Sequence, residues 1–287
     1  MTHETAEPWI PFGVDPDRHA ALVGGIPVWM RRPLADWLRE IVDVRYGEPA
    51  HLLRIFDQRV RLPGILLSGV QEDFGFDSLE SQLFDHPDDY LALLDFLIFS
   101  LHTAGHHATL DELQSILRIS SSEWKVGRRG SHAGIEKRVP EGVQHAADEV
   151  MAAPGHAGKL LSEAWHAAFG RDPDFEKAYA KSIKAVEAAA IPSVSPKNVN
   201  ATLGTVIAQM RDQKDWKLEL TREHSTHTSA QVVLGMMQML WTGQNDRHAG
   251  QTGYQPSTQA EAEAEAAVML AVPLVHWFFS GAIQRRP

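Results

Sequence analysis

Cysteine is absent from this 287-residue chain, which excludes disulfides, thiolate-ligated zinc and a cysteine nucleophile, and fits a reducing compartment. Positive charge is scarce. Lys and Arg number 27 against 37 Asp and Glu, so the net charge of −10 repels nucleic acid and anionic membrane unless a local patch reverses it. Also missing is an apolar run of the roughly 20 residues that a membrane span needs, and Met1-Thr2-His3-Glu4 opens acidic where a signal peptide would be basic. The expectation is a cytoplasmic protein with no membrane contact. No Gly-rich phosphate loop of the Walker type occurs, and Gly24-Gly25 follows no strand, which speaks against nucleotide hydrolysis. What is present is ordinary globular composition, 44% hydrophobic and 22% charged, enough for one large or two small domains.

Apolar periodicity is helical over most of the chain. Residues 1–26 carry several Pro and Gly breaks and read as an arm that packs through Trp9, Ile10 and Phe12. Pro33 suits a helix first turn, ahead of Leu34, Trp37, Leu38, Ile41 and Val42, with Gly47 at the end. A second helix covers His51 to Val60, and Gly64, Gly69, Gly75 and the acids Glu72, Asp73 and Asp77 mark a stretch of turns. Asp88-Asp89-Tyr90 then opens a helix apolar on nearly all sides, from Leu91 to Leu101, as a central core helix would be. Thr109 heads a shorter helix with Asp111 and Glu112 in its first turn.

A change of period follows. Glu123 to Val126 and Ile135 to Val139 alternate with period two around Gly127-Arg128-Arg129-Gly130, which predicts a two-stranded ribbon with an eight-residue loop. Beyond Pro140 helices are expected over Val143–Ala152, Leu160–Phe169 and, capped by Asp174, from Phe175 through Tyr179, Ile183 and Val186 to a stop at Ile191-Pro192. Asn198 or Asn200 can cap Ala201–Met210. Trp216, Leu218 and Leu220 look extended, Ser229 opens Val232–Leu240, and a final helix over Ser257–Ile283 carries Pro273 as a kink. The fold class is therefore mainly α, with a helical domain over 1–120, a basic hairpin over 121–140 and a helical bundle over 141–287.

The ribbon concentrates positive charge: Lys125, Arg128, Arg129, Lys137 and Arg138 stand against Glu136 alone. Such a hairpin resembles the wing of a winged-helix module and could touch phosphates, although Lys and Arg also protect an exposed strand edge. The 15 histidines include two groups with ligand-like spacing. His102, His106 and His107 could share one helix face, but Gly105 interrupts it and no acid completes a zinc set. His224 and His227 sit beside Glu223 in a loop, where a surface histidine pair without a metal is the more ordinary reading. Lys184 and Glu187 make either a bundle-interior pair or plain surface charges.

The C-terminal text, from Asp174–Ala190 through Pro196-Lys197-Asn198 and Ala201-Thr202-Leu203-Gly204 to Trp241–Gly250 and Glu261–Ile283, resembles the HEPN-like C-terminal domain of abortive-infection proteins. Ile26-Pro27 and Arg31-Arg32-Pro33-Leu34-Ala35-Asp36-Trp37-Leu38 resemble the N-terminal domain of the AbiJ-type members. The resemblance implies an antiparallel helical bundle, a homodimer, and antiphage defence or metal-independent RNA cleavage with no cofactor. Its chemistry asks for a histidine to take the ribose 2′-hydroxyl proton and an arginine to hold the phosphoryl oxygens. The family leaves four to six residues between the arginine and the histidine that follows it. Here Trp241, Thr242 and Gly243 occupy those places before His248, so the adjacent Arg247 is the candidate clamp, with Asn245 and Asp246 beside it. The literal spacings elsewhere, Arg45 with His51, Arg138 with His145 and Arg222 with His227, are as many as chance supplies.

Two other classes fit the same residues. A catalytically silent bundle would recognise a phage or cellular protein trigger, and a DNA-binding regulator would use the hairpin, against the net charge. In either case Asp246, Arg247 and His248 would only cap helices and hold a loop.

Overall fold

A helix that is apolar all round has to be enclosed by others, and the run from Tyr90 to Leu101 is built into such a helix. The computed structural model of the protein describes residues 10, 12–13, 15, 21–41, 49–60, 76–129, 132–153, 155–245 and 258–286. Trp9, Val42, Gly47, Glu72, Asp73, the glycines at 64, 69 and 75, and Ser257 lie outside these. The described residues are mainly helical, with eleven helices and a small hairpin. The chain divides into two units, Met1–Gly127 with His132–Arg138, and Arg128–Ser131 with Val139–Pro287.

In the first unit, helices α1 (Val28–Glu40), α2 (Pro49–Val60), α3 (Phe76–Asp85), α4 (Pro87–Thr103) and α5 (His107–Ile119) are followed by strands β1 (Trp124–Arg129) and β2 (His132–Lys137). Pro87 stands at the start of α4, with Asp88 and Asp89 in the first turn where the helix dipole favours acids. Leu93, Leu94, Leu97 and Ile98 are at most 1% exposed, while Asp95, Phe96, Phe99 and Ser100 are only partly buried, so most of the helix surface is enclosed. Its neighbours supply Leu34 and Leu38 of α1, Leu53 and Phe56 of α2, Leu79 and Leu83 of α3, Leu113 and Leu117 of α5, and Ile135 of β2. Trp37 of α1 donates its indole N–H to the Thr109 carbonyl at 3.0 Å, fixing α1 on α5.

Several local expectations are corrected. Helix α1 starts at Val28, so Pro33 lies inside it, and Met30 is buried on the added turn. Of the residues expected to mark turns only Asp77 is described, and it lies in helix α3, where Phe76, Leu79 and Leu83 stand at helical spacing. Helix α5 opens two residues before Thr109, so Asp111 and Glu112 are past its first turn. Phe12 is fully exposed; the arm is held instead by Val23, whose N–H donates to the Ser121 carbonyl at 2.8 Å and whose carbonyl accepts from Glu123 N–H at 3.0 Å.

In the second unit, α6 (Glu141–Ala152), α7 (His156–Phe169), α8 (Phe175–Val194), α9 (Leu203–Gln213), β3 (Trp216–Leu218), α10 (Ser229–Asn245), α11 (Thr258–Phe279) and β4 (Ile283–Arg285) enclose one continuous core. Helix α8 packs against α7, α9 and α11, and α10 lies against α9 and α11. Asp174 caps α8 as expected, accepting from Lys177 N–H at 2.9 Å. That helix continues through Pro192 to Val194, and the cap of α9 is Thr202, not an asparagine. The last helix ends at Phe279, because Gly281 turns the chain with φ +74° into β4, which pairs antiparallel with β3. Among the described helices only α11 is long and apolar enough to cross a membrane, but 44% of that stretch is buried inside the protein.

Candidate functional site

The segment singled out by the sequence follows α10. Asn245 is the last residue of that helix, while Asp246, Arg247 and His248 lie outside the described residues. What the structure describes is the platform from which they depart. Tyr179 of α8 donates its hydroxyl to the Leu240 carbonyl at 3.1 Å, deep in the second unit. Gly243 makes room for that ring, since a Cβ there would stand 2.1 Å from the Tyr179 hydroxyl oxygen. Two residues earlier Trp241 packs over Gly204 of α9, where a Cβ would come within 2.9 Å of the indole. The final turns of α10 are thus clamped from α8 and α9, and two glycines are required by close approach. From sequence Tyr179 is readable as a core-face residue, but the expected helix ends at Leu240, ahead of Gly243, and no spacing rule links the two.

The hairpin is tighter than expected. Gly127, Arg128 and Arg129 are in β1, and only residues 130 and 131 separate the strands, so the eight-residue loop does not form. Both strand glycines serve carboxylates. A Cβ on Gly127 would collide with the Glu136 carboxyl group, and one on Gly134 would stand 2.6 Å from Oδ1 of Asp95, which accepts from Ile135 N–H at 2.8 Å. Lys125 Nζ lies 3.0 Å from Glu136 Oε1, and Glu136 is only 2% exposed. Arg138 Nε donates to the Ser122 carbonyl at 2.9 Å. Lys125 and Arg138 are therefore engaged within the fold, Lys137 is half-buried, and the side chains of Arg128 and Arg129 lie outside the described set.

The other groups resolve into structural roles. Glu187 of α8 accepts from Leu203 N–H at 2.7 Å and so caps α9 from the side, while Lys184 is exposed. Glu223 accepts from both the N–H and the hydroxyl of Ser229 at the start of α10, and these bonds hold its carboxyl below the usual range. His224 turns Nδ1 back to accept from Thr226 and His227 N–H, both at 3.2 Å, and its ring stacks on His227. His102 and His107 meet edge to face across the Gly105 turn. Among the described residues no group of three His, Asp or Glu side chains is arranged to hold a metal ion.

One concave surface stands out in the first unit. Helices α1 and α5 enclose an open groove of about 670 Å³ between residues 33–40 and 108–116. Comparison with protein families, with curated proteins and with solved structures finds no match to this chain.

Proposed function

We propose that this is a cytoplasmic, dimeric abortive-infection type protein that acts on RNA through its second unit, as a metal-independent ribonuclease or as an RNA-binding bundle. The observation that carries the reading is the clamped end of α10, where the Tyr179 hydroxyl, Gly243 and the Trp241 ring fix the helix directly before Asn245-Asp246-Arg247-His248. Catalysis needs groups delivered from a rigid support, and a helix end pinned from two neighbours is one.

In this reading His248 takes the proton of a ribose 2′-hydroxyl as the 2′-oxygen bonds to phosphorus and the bond to the 5′-oxygen breaks. The products are a 2′,3′-cyclic phosphate and a 5′-hydroxyl that takes its proton from water. Arg247 neutralises the phosphoryl oxygens as charge builds, and Asn245 and Asp246 orient the pair. Helix α10 also supports the dimer, since its 17 residues carry no charge and Val232, Gly235 and Met239 are exposed along one line.

The test is incubation of the purified protein with total cellular RNA, with and without chelator, beside His248→Ala and Arg247→Ala. Cleavage that resists chelator and is lost in both variants is expected. RNA left intact, or cleaved equally by both variants, refutes the nuclease, and a binding titration with the same RNA then separates the RNA-binding bundle from the silent, trigger-binding one.

A further inference from the structure

Of the nine lysines in the chain, four stand on two neighbouring helices of the second unit, Lys159 on α7 and Lys177, Lys181 and Lys184 on α8. The three on α8 follow i, i+4, i+7 spacing and share one stripe. Lys159 and Glu163 share a stripe on α7 by the same rule, and Lys181 donates to Glu163 across the gap, so the two stripes form a single face. Lys159, Lys177 and Lys184 are exposed, and among the described residues none of the three has a carboxylate at ion-pair distance. One carboxylate thus stands among four ammonium groups. The bond from Lys181 holds Glu163 below the usual range, and the charges of Lys159 and Lys177 add to that effect. The other acids are directed elsewhere. Glu187 bonds Leu203 N–H of α9, and Glu176, eleven residues or about three turns before it, lies on that same flank of α8. Asp174 caps the helix at Lys177 N–H, and Asp172 pairs with Arg171. The surface of α8 is therefore divided, acids toward α9 and lysines toward α7, in a chain whose net charge is −10.

We propose that this lysine face of α7 and α8 binds the phosphate backbone of single-stranded RNA, an inference that rests on the second unit acting on RNA and adds the surface that holds the strand. Lys177 and Lys184 are about 10 Å apart along α8, and packed helices are spaced by about 8–10 Å. The free ammonium groups therefore mark out a patch on which a strand can meet more than one phosphate at once. Such contacts supply affinity and place the strand without reading its bases. An acidic protein is less well matched, since it would need carboxylates fixed in matching positions, whereas a strand carries a phosphate at every nucleotide and adjusts to the lysines. Tyr179, which holds the end of α10, points into the core from the opposite side of α8, so the lysines can be replaced without touching that clamp.

The probe is a fluorescein-labelled 12-nucleotide 2′-O-methyl RNA, titrated against the full chain by anisotropy at several salt concentrations. Its blocked 2′-oxygen cannot attack phosphorus, so binding is judged apart from cleavage, which the chelator assay with His248→Ala decides by itself. Three variants accompany it: Lys159→Gln with Lys184→Gln on the face, Lys197→Gln with Lys214→Gln on exposed lysines beyond the ends of α8 and α9, and Glu163→Gln. The two lysine pairs change the net charge equally, which separates the face from bulk attraction, and circular dichroism checks that each variant is folded. Three free lysines contribute about −2.1 to the slope of log affinity against log salt, and the face pair should remove about 1.4 of it. Affinity is expected to fall at least about fivefold in the face pair and less than about twofold in the other. Glu163→Gln takes away the one repelling carboxylate and should tighten binding about two- to threefold. The proposal is overturned by an unaltered chain that does not bind the probe, by equal losses in the two lysine pairs, or by an affinity that Glu163→Gln does not raise. A 12-residue glutamate peptide that competes as well as unlabelled RNA overturns it too, and would assign the face to an acidic protein.

Discussion

The hairpin offers the sharpest test of the structure, because the same lysine would do different things in two accounts. If Lys125 were a phosphate contact, replacing it would lower affinity for RNA and leave stability alone. In the structure its ammonium instead sits 3.0 Å from a carboxylate that is 2% exposed, on a strand whose Gly127 is shaped to that carboxyl group. Lys125→Met removes the cation that faces a buried carboxylate, which should cost about 3–5 kcal/mol. With a urea dependence of about 2 kcal/mol per molar, the midpoint of the first unit falls by about 2 M. Glu136→Gln leaves the Lys125 ammonium, which is 15% exposed, beside an amide oxygen that can still accept from it, and should cost less. Lys125→Met with Glu136→Met replaces the whole pair by apolar groups of similar length and should return to within about 1–2 kcal/mol of the starting protein. Buried Trp124, beside the pair in the chain, makes fluorescence-monitored denaturation the natural assay. A single variant as stable as the parent, or a double variant no better than the single, would refute the buried pair.

Other outcomes follow from the second unit. Gly243→Ala would ordinarily favour a helix by about 1 kcal/mol, but here the new methyl displaces the Tyr179 ring. A net loss of about 1–3 kcal/mol is expected, less than additive with Tyr179→Phe, and a stabilised Gly243→Ala would show that the clamp does not exist. Replacing Gly235 by Glu on the uncharged face of α10 should convert a dimer to monomer in light scattering at unchanged helicity, and a dimer that persists would exclude that face. Three carboxyls are held below their usual range, Glu163 by Lys181, Asp215 by Arg285 and Glu223 by Ser229. Their folded values lie below the unfolded ones, so the stabilisation is complete above the unfolded carboxylate range, about pH 5, and is lost as pH falls through the folded values. The acid slope of the denaturation midpoint should flatten when all three are made amides, and an unchanged slope would assign it elsewhere.

The helices were legible wherever burial and period agreed. Leu91 to Leu101 announced α4, and Asp174 announced the start of α8. Errors gathered at residues whose local preference was overruled by packing. Pro33 and Pro192 look like a start and a stop, yet each sits inside a helix, because burial of Met30 on one side and Val194 on the other outweighs a missing backbone bond. Helix α3 was readable in the spacing of Phe76, Leu79 and Leu83 but was hidden by Asp77 and the turn residues before it. Gly281 is an ordinary helix-ending signal, and strand β4 beyond it is three residues long, too short for any period to be seen. Glycines 127 and 134 were harder. They read as loop, and only the carboxyl groups of Glu136 and Asp95, one from the facing strand and one from α4, explain why a strand needs them.

A charge count along the chain treats every lysine and arginine of the hairpin as equally available, and the fold removes that equality. Lys125 is spent on Glu136 and the Nε of Arg138 on a backbone carbonyl, so these two are structural before they can be functional. Any phosphate contact by this element therefore rests first on Arg128 and Arg129, the basic pair nearest the turn, with half-buried Lys137 the remaining cation. The distinction is measurable, because each single-stranded phosphate contact contributes about 0.7 to the slope of log affinity against log salt. Two contacts give a slope of about −1.4, and all five hairpin cations would give about −3.5. Binding carried by the hairpin should show the shallow value and lose its salt dependence in Arg128→Gln with Arg129→Gln. A steep slope that survives this pair of changes would move the RNA surface off the hairpin and onto the helices of the second unit.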